Sequence, residues 1–343
     1  MKTSHTPVST LVEDGISSKA AGLNEYVTIA RPDHWFKNIF MLPGMLFAYL
    51  VYQTPIDGAF FLKVLSGLAC TCLIASANYV INEYLDVQFD RFHPVKKFRS
   101  GVQTVLNPYY VFMQWLLLAV SGLVLASYIN LPFVLLEAFL LFMGVMYNVK
   151  PFRTKDRVYL DVLSESVNNP IRLALGWFIF VPAELLPKDI YDFSWVIIPP
   201  SSIILAYWMG GAFLMATKRF AEYRFINNPE QAGLYRRSFR FYTENSLLIS
   251  MFFYALVSAF FLGIFLVKYR IELLLSFPFF AVLFSWYLHI GLRKDSVVQG
   301  PEKLHRERKY MGFVVVFVCV LMALLYIDIP QLNWFLKQSF RYD

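Results

Sequence analysis

The sequence predicts an all-α integral membrane protein, with nine transmembrane helices surrounding a cavity open to the cytoplasmic side. Three observations carry that expectation. The chain is 57% hydrophobic and 16% charged, too apolar a balance for an ordinary soluble protein. Its apolar residues gather into nine runs, several near the ~20 residues a helix needs to cross a bilayer. Its basic residues crowd into alternate loops.

The runs occupy approximately 37–54, 59–84, 109–129, 131–148, 158–180, 194–217, 246–267, 271–292 and 311–328. Between the second and third lie Arg91, Lys96, Lys97 and Arg99, and between the fourth and fifth lie Lys150, Arg153, Lys155 and Arg157. Lys218, Arg219, Arg224, Arg236, Arg237 and Arg240 separate the sixth from the seventh. Arg293, Lys294, Lys303, Arg306, Arg308 and Lys309 separate the eighth from the ninth. The other loops hold Lys188, Lys268 and Arg270. Loops rich in Lys and Arg stay on the cytoplasmic side, which places the amino terminus inside and the carboxyl terminus outside. A bacterial-type inner or plasma membrane is the expected location.

The net charge of +7 is spread over these interfacial loops. It therefore predicts contact with membrane lipids and no nucleic-acid partner. Residues 1–24 are polar and lack the apolar core of a secretory signal, so a mobile cytoplasmic tail is expected there. Residues 25–343 are expected to form one membrane domain. Cys70, Cys72 and Cys319 lie inside apolar runs and show no disulfide or zinc spacing.

The chemistry concentrates where the second run becomes polar. Asn78, Asn82, Asp86 and Asp90 recur every four residues, so a helix places them on one face. Oxygen ligands at that spacing suit Mg²⁺, which usually shares its shell with water and substrate phosphates. Taken alone, the stripe reads equally as a solvated helix end. The bases that follow it, Arg91, Lys96, Lys97 and Arg99, favour a joint site for a cation and a diphosphate. Pro94 disfavours helix at His93, so a turn is expected there.

Three further clusters fall on the same side. The loop from Tyr147 through Lys150 and Arg153 leads to Asp161, Glu165, Asn168, Asn169 and Arg172, which share a helical face. Polar groups in a spanning helix face a cavity or one another, so this face either lines a substrate or joins helices, with Glu165–Arg172 as an obvious pair. Pro170 is expected to kink that helix. Lys218, Arg219 and Glu222 end the sixth run, and Lys218–Glu222 has surface-pair spacing. Arg31, Pro32, Trp35, Lys37 and Asn38 precede the first run, where Pro32 is placed to start an interfacial helix. His34 and His93 read as interfacial polar groups. The loop from Lys218 to Asn245 is long enough to fold as short helices over the mouth.

These residues resemble the UbiA superfamily of intramembrane prenyltransferases, over about Tyr26 to Tyr326. That family has a nine-helix layout, and its N-x-x-x-D-x-x-x-D motif, here Asn82, Asp86 and Asp90, binds Mg²⁺ and through it a substrate diphosphate. A second acidic motif of the family is replaced here by Lys218-Arg219-Phe220-Ala221-Glu222. The replacement resembles the decaprenyl-phosphate phosphoribosyltransferase branch. That branch also shares R-P-x-x-W-x-K-N (Arg31 to Asn38) and D-R-x-H-P-x-K (Asp90 to Lys96).

The resemblance implies transfer of phosphoribosyl from phosphoribosyl diphosphate, the diphosphate-bearing donor, to a polyprenyl phosphate lipid. Asn82, Asp86 and Asp90 would be catalytic and hold Mg²⁺. Lys37, Arg91, Lys96, Lys97, Lys150, Arg153, Lys218 and Arg219 would bind phosphate. Asn38, Tyr147, Asp161, Glu165, Asn169, Arg172 and Glu222 would line the substrate. Prenyl transfer to an aromatic or other small acceptor is the alternative. A secondary transporter or a structural membrane protein is a more distant one.

Overall fold

The computed structural model describes residues 19–187 and 197–336. The expected tail therefore lies mostly outside the described residues, as do the first positions of the sixth run. From Lys19 onward the chain is in contact with the bundle: Ala20 bridges Val105, and Ala21 N–H donates to the Val105 carbonyl at 3.1 Å.

The described residues are helical, and no β-strand occurs among them. Helix α1 (Leu23–Ile29) precedes a 3₁₀ run, Pro32–Met41, which continues directly into α2 (Leu42–Tyr52). Pro32 starts that run as expected, because its fixed φ suits a first turn that needs no donor there. Helix α3 (Gly58–Asp90) is the longest, at 33 residues. Its start is fixed by Asp57, whose side chain accepts from Phe60 N–H at 2.7 Å. Next come α4 (Ser100–Gln103), α5 (Pro108–Ser127) and α6 (Leu131–Asn148). Asn107 and Asn130 cap α5 and α6, each followed by helix-opening prolines.

The fifth apolar run is divided. α7 (Leu160–Ser166) and α8 (Asn168–Phe180) meet at Val167. Pro170 accounts for the break, since its ring crowds the carbonyl four residues back, at Ser166, and it donates no hydrogen bond. Helix α9 (Ser201–Ile226) precedes α10 (Pro229–Tyr235), a 3₁₀ turn at Arg237–Arg240 and α11 (Glu244–Tyr269). A 3₁₀ turn at Ile271–Ser276 runs into α12 (Phe277–Gly291), and α13 (Arg308–Tyr326) follows.

Each apolar run thus lies largely on helix where it is described. Among the described residues, six helical stretches are long and apolar enough to cross a membrane: Gly58–Asp90, Pro108–Ser127, Leu131–Asn148, Glu244–Tyr269, Ile271–Gly291 and Arg308–Tyr326. Their outer faces carry bare apolar side chains, among them Leu117 on α5 and Phe252, Phe253 and Phe260 on α11. So much exposed apolar surface is stable against lipid and not against water, and the chain is an integral membrane protein.

Helix α2 crosses α8 at very short range. A Cβ on Gly44 would stand 1.9 Å from the Leu173 carbonyl oxygen, and one on Gly176 would stand 2.0 Å from that of Met41. Small residues allow such backbone contact in bundles that lack a hydrophobic drive for association. Gly176→Ala is therefore expected to destabilise the protein by at least ~1–3 kcal/mol, because the obstacle is main chain and cannot rotate away. A lower unfolding temperature in detergent checks this; an unchanged one would show that α2 and α8 separate freely.

The loops after α3, α6 and α9 converge at one end of the bundle. Gln231 at the start of α10 donates to the Phe92 carbonyl at 2.8 Å, and Arg237 lies 3.6 Å from Asp156. The segment after α9 folds, as expected, into short helices across this end.

Candidate active site

The polar end of α3 leaves the helix core with its acids aimed at two neighbouring loops. Asp86 accepts from Lys155 Nζ at 2.5 Å and from Arg153 Nη2 at 3.1 Å, both through Oδ1. Its other oxygen, Oδ2, is 3.3 Å from the Asn82 amide nitrogen. Asn82 also donates to Asn148 Oδ1 at 2.6 Å, and Lys155 donates to that same oxygen at 2.7 Å. Asp90, one turn on, holds Arg99 Nη1 through Oδ2 at 2.8 Å. Asp86 and Asp90 share a small hollow with Phe89, Arg153, Lys155, Asp156, Tyr235 and Arg236.

Local backbone makes this convergence. Arg153 sits at φ +32°, a left-handed turn that carries its side chain back toward the Asn148 carbonyl, 2.9 Å from Nη1. Its guanidinium also lies over the Phe89 ring, 4.7 Å from the centroid. Lys155 follows in a single 3₁₀ turn and is 3% exposed. Burial pushes its ammonium down to about 8, against the upward pull of Asp86, with Arg153 and Arg236 adding to the fall. His93 turns the chain after α3: its Nδ1 accepts from Val95 and Lys96 N–H, each at 3.1 Å. A nitrogen that accepts twice carries no proton, and burial holds the ring's pKa down at about 3. His93 is thus a buried turn-former, at the position where Pro94 led a turn to be expected.

A second network stands beside the hollow. Arg219 is 1% exposed and reaches Glu165 Oε2 at 2.5 Å, Glu222 Oε2 at 3.0 Å and Asp161 Oδ2 at 3.4 Å. Tyr147 O–H donates to Glu165 at 2.7 Å and accepts from Arg219 and Arg236 at 3.1 and 3.2 Å. Glu222 accepts from Lys96 Nζ at 2.7 Å, and Lys96 also bonds the Tyr235 hydroxyl. Tyr242 and Ser238 donate to Asp161 at 2.8 and 3.1 Å.

These partners revise two expected pairs. Glu222 bonds Lys96 and Arg219, and the spacing of four that puts Lys218 on its side of α9 produces no ion pair between them among the described residues. Glu165 bonds Arg219, while Arg172 donates to Asn38 Oδ1 at 2.9 Å and to the Asn168 carbonyl at 3.3 Å. The break at Val167 separates α7 from α8, so the five polar residues do not act as one face.

Of the sequence-predicted residues, the structure gathers Asp86, Asp90, Arg153, Lys96, Tyr147, Asp161, Glu165, Arg219 and Glu222 at this end of the bundle, in and beside the hollow, with Asn82 beneath. Lys37, Asn38, Asn169, Arg172 and Lys218 lie further in. Asn169 packs against Gly211, where an added Cβ would come within 2.1 Å of its amide nitrogen. Arg91, Lys97 and Lys150 are exposed and away from the hollow. Asn78 shares the stripe but donates to the Leu140 carbonyl at 2.9 Å, joining α3 to α6.

Sequence reasoning missed Asn148, Lys155, Asp156, Tyr235 and Arg236 as members of the site. Arg99 was noted as basic without a partner. Each sits in or at the edge of a segment already marked by charge, but spacing there does not say which side chain turns inward.

The profile of the UbiA prenyltransferase family matches residues 39–306, most of the chain. The chain belongs to this family. Among curated UbiA-type relatives, it is similar to the decaprenyl-phosphate phosphoribosyltransferase of Mycolicibacterium smegmatis, with 28% identity over 225 residues, covering 64% of this chain and 63% of that protein. The enzyme of that name from Mycobacterium tuberculosis is 27% identical over 245 residues, covering 68% and 72% of the two chains. The chain thus aligns with just under two thirds of the first relative's length. In fold, it is similar to a UbiA homolog from Archaeoglobus fulgidus bound to GPP and Mg²⁺, with TM-score 0.63, 17% identity and coverage of 88% of this chain and all of that one.

The chemistry of the residues here fits Mg²⁺. Cations hold Asp86 Oδ1 and Asp90 Oδ2, the Asn82 amide stands 3.3 Å from Asp86 Oδ2, and both acids line the hollow. Among the described residues no group of three His, Cys, Asp or Glu side chains is placed to hold a metal by itself. Two carboxylates completed by water and substrate phosphate match the way Mg²⁺ binds.

Proposed function

We propose that this chain is a Mg²⁺-dependent intramembrane transferase acting on a diphosphate donor and a polyprenyl substrate. The best-supported reaction is transfer of phosphoribosyl from phosphoribosyl diphosphate to a polyprenyl phosphate. The single observation that carries this reading is the lining of the hollow. Arg153, Lys155 and Arg236 face Asp86, Asp90 and Asp156 there, with Lys96, Arg99 and Arg237 just behind. Once each acid is paired, cationic capacity remains for phosphates. The names of the similar mycobacterial enzymes point to the same donor and acceptor.

In this reading Asp86, Asp90 and Asn82 hold Mg²⁺, which when bound neutralises charge growing on the leaving diphosphate. Arg153 grips the diphosphate as a fork, and Lys155 and Arg236 add point charges. The ribosyl C1–O bond breaks, with its electron pair leaving on the diphosphate. A lipid phosphate oxygen closes the new C1–O bond. A phosphate monoester dianion attacks without losing a proton, so no general base is needed. Residues 25–343 form one nine-helix membrane domain, with the mouth and amino terminus on the cytoplasmic face. Glu222, tied to Lys96 and Arg219, offers no second acidic motif across the mouth. That weighs against prenyl transfer to an aromatic acceptor.

Purified protein supplied with Mg²⁺ and labelled phosphoribosyl diphosphate should label a polyprenyl phosphate. Consumption of labelled prenyl diphosphate with an aromatic acceptor, and not of the phosphoribosyl donor, would overturn the assignment. Lys155→Met is expected to raise the KM for the donor about tenfold or more, the worth of one charge-assisted bond. An unchanged donor KM would remove Lys155 from the phosphate site.

A further inference from the structure

The cations of the mouth all have carboxylate partners or lie against them. Arg31, Lys96, Arg99, Arg153, Lys155 and Arg219 each stand within 4 Å of an acid. Lys37, Lys218 and Arg172 differ. Among the described residues none of the three has a carboxylate within ion-pair distance, although Arg172 is only 6% exposed. Lys37 Nζ lies over the Tyr79 ring, 5.5 Å from its centroid. Arg172 is bonded to Asn38, the residue next to Lys37, and lies within electrostatic range of Tyr79. Lys218 is within range of Lys37, and both press on the buried His34. Neither ring nitrogen of His34 makes a hydrogen bond, though Asp33 and Glu302 lie 3.4 and 3.8 Å from Nε2.

The nearby acids are already engaged. Glu165 Oε2 is held by Arg219 and Tyr147, and Glu222 by Lys96 and Arg219. Glu137, the deeper acid in range of Arg172, is bonded by Thr71. Three like charges gathered inside a membrane bundle, with no carboxylate within ion-pair distance among the described residues, are stable when an anion joins them. Lys37, Arg172 and Lys218 are not among the residues that line the outer hollow, so the two are separate places for negative charge.

We propose that Lys37, Lys218 and Arg172 form an inner anion site for the phosphate monoester head of the lipid substrate, distinct from the hollow that takes the diphosphate. The assignment rests on the proposed function for its substrate class. Its geometry requires only an anion that reaches it from within the bundle. A lipid phosphate meets that requirement because its tail lies in the apolar interior. Free phosphate shares the headgroup chemistry and lacks the tail.

The test measures binding of farnesyl phosphate to the purified protein in detergent, without donor, against farnesol and inorganic phosphate. Steady-state kinetics follow with Lys37→Met and Lys218→Met. Both variants are expected to weaken farnesyl phosphate binding and raise the acceptor KM about tenfold or more, with the donor KM changed less than about threefold. Arg172→Lys, which keeps the charge and loses the fork, is expected to fall between them and the unsubstituted protein. A donor KM that rises in step with the acceptor KM would merge the two sites and overturn the proposal. So would farnesyl phosphate binding that the variants leave intact, or inorganic phosphate that binds as tightly as the lipid. Should the donor prove not to be phosphoribosyl diphosphate while the variants still lose farnesyl phosphate, the proposed reaction falls and the inner site stands.

Discussion

Asp86→Asn is expected to cut turnover on the order of a thousandfold or more. The substitution keeps the shape and the contact with Asn82 but removes a charge that serves two partners. A metal's charge stabilisation is worth several kcal/mol, and each ~1.4 kcal/mol is a factor of ten in rate. The loss should fall on kcat, because the leaving group develops its charge in the transition state. A secondary effect follows from Lys155 and Arg153, which both bond Asp86 Oδ1. An amide there leaves two crowded cations without their carboxylate, so the variant should unfold at a lower temperature and regain stability when diphosphate is added. Single-turnover kinetics and thermal unfolding with and without diphosphate check the two parts separately. Turnover near that of the unsubstituted protein in Mg²⁺ would remove Asp86 from the metal site and the proposed chemistry with it.

Arg219→Met should cost the most stability of any single change at the mouth. Asp161 and Glu222 are fully buried, and Glu165 is held at 2.5 Å by the same guanidinium. Removing one partner of a buried ion pair typically costs ~3–5 kcal/mol, because the surviving charge stays desolvated. Here three acids lose their common partner. The expected result is poor folded yield or a strongly lowered unfolding temperature, and Arg219→Lys should recover part of it. Were Arg219 a phosphate clamp, as its motif suggests, the change would instead raise the donor KM at unchanged stability. The double variant Arg219→Met with Glu165→Gln distinguishes the two: removing an acid along with the base should restore some stability and should not restore a lost phosphate contact.

The same residue shows where reading from sequence stops. Lys218-Arg219-Phe220-Ala221-Glu222 announces charge at the end of α9, and nothing in the five letters says which charge turns inward. Arg219 lies on the buried face and joins α9 to α6 and α7 through Tyr147, Asp161 and Glu165. Lys218, the neighbouring position, is only half-buried and pairs with no acid among the described residues. The pairing of Glu165 was beyond reach for a related reason, since a break at Val167 changes the facing of everything after it. Pro170 gave notice of the break but not of its consequence. In contrast, Asn82, Asp86 and Asp90 were legible because they stand on an unbroken helix, where a spacing of four fixes a common face.

What the sequence determined by itself was set by short-range rules. Apolar runs and loop charge decided that the chain is a helical membrane protein and which of its segments are polar. Backbone groups in lipid bond within their own helix, so that much needs no partner. The tertiary structure alone decided which loop cations meet which acids. Lys155 reaches Asp86 and Lys96 reaches Glu222 across 69 and 126 positions of chain. Contacts of that span depend on how whole helices pack, and side-chain charge acts through space without regard to order along the chain.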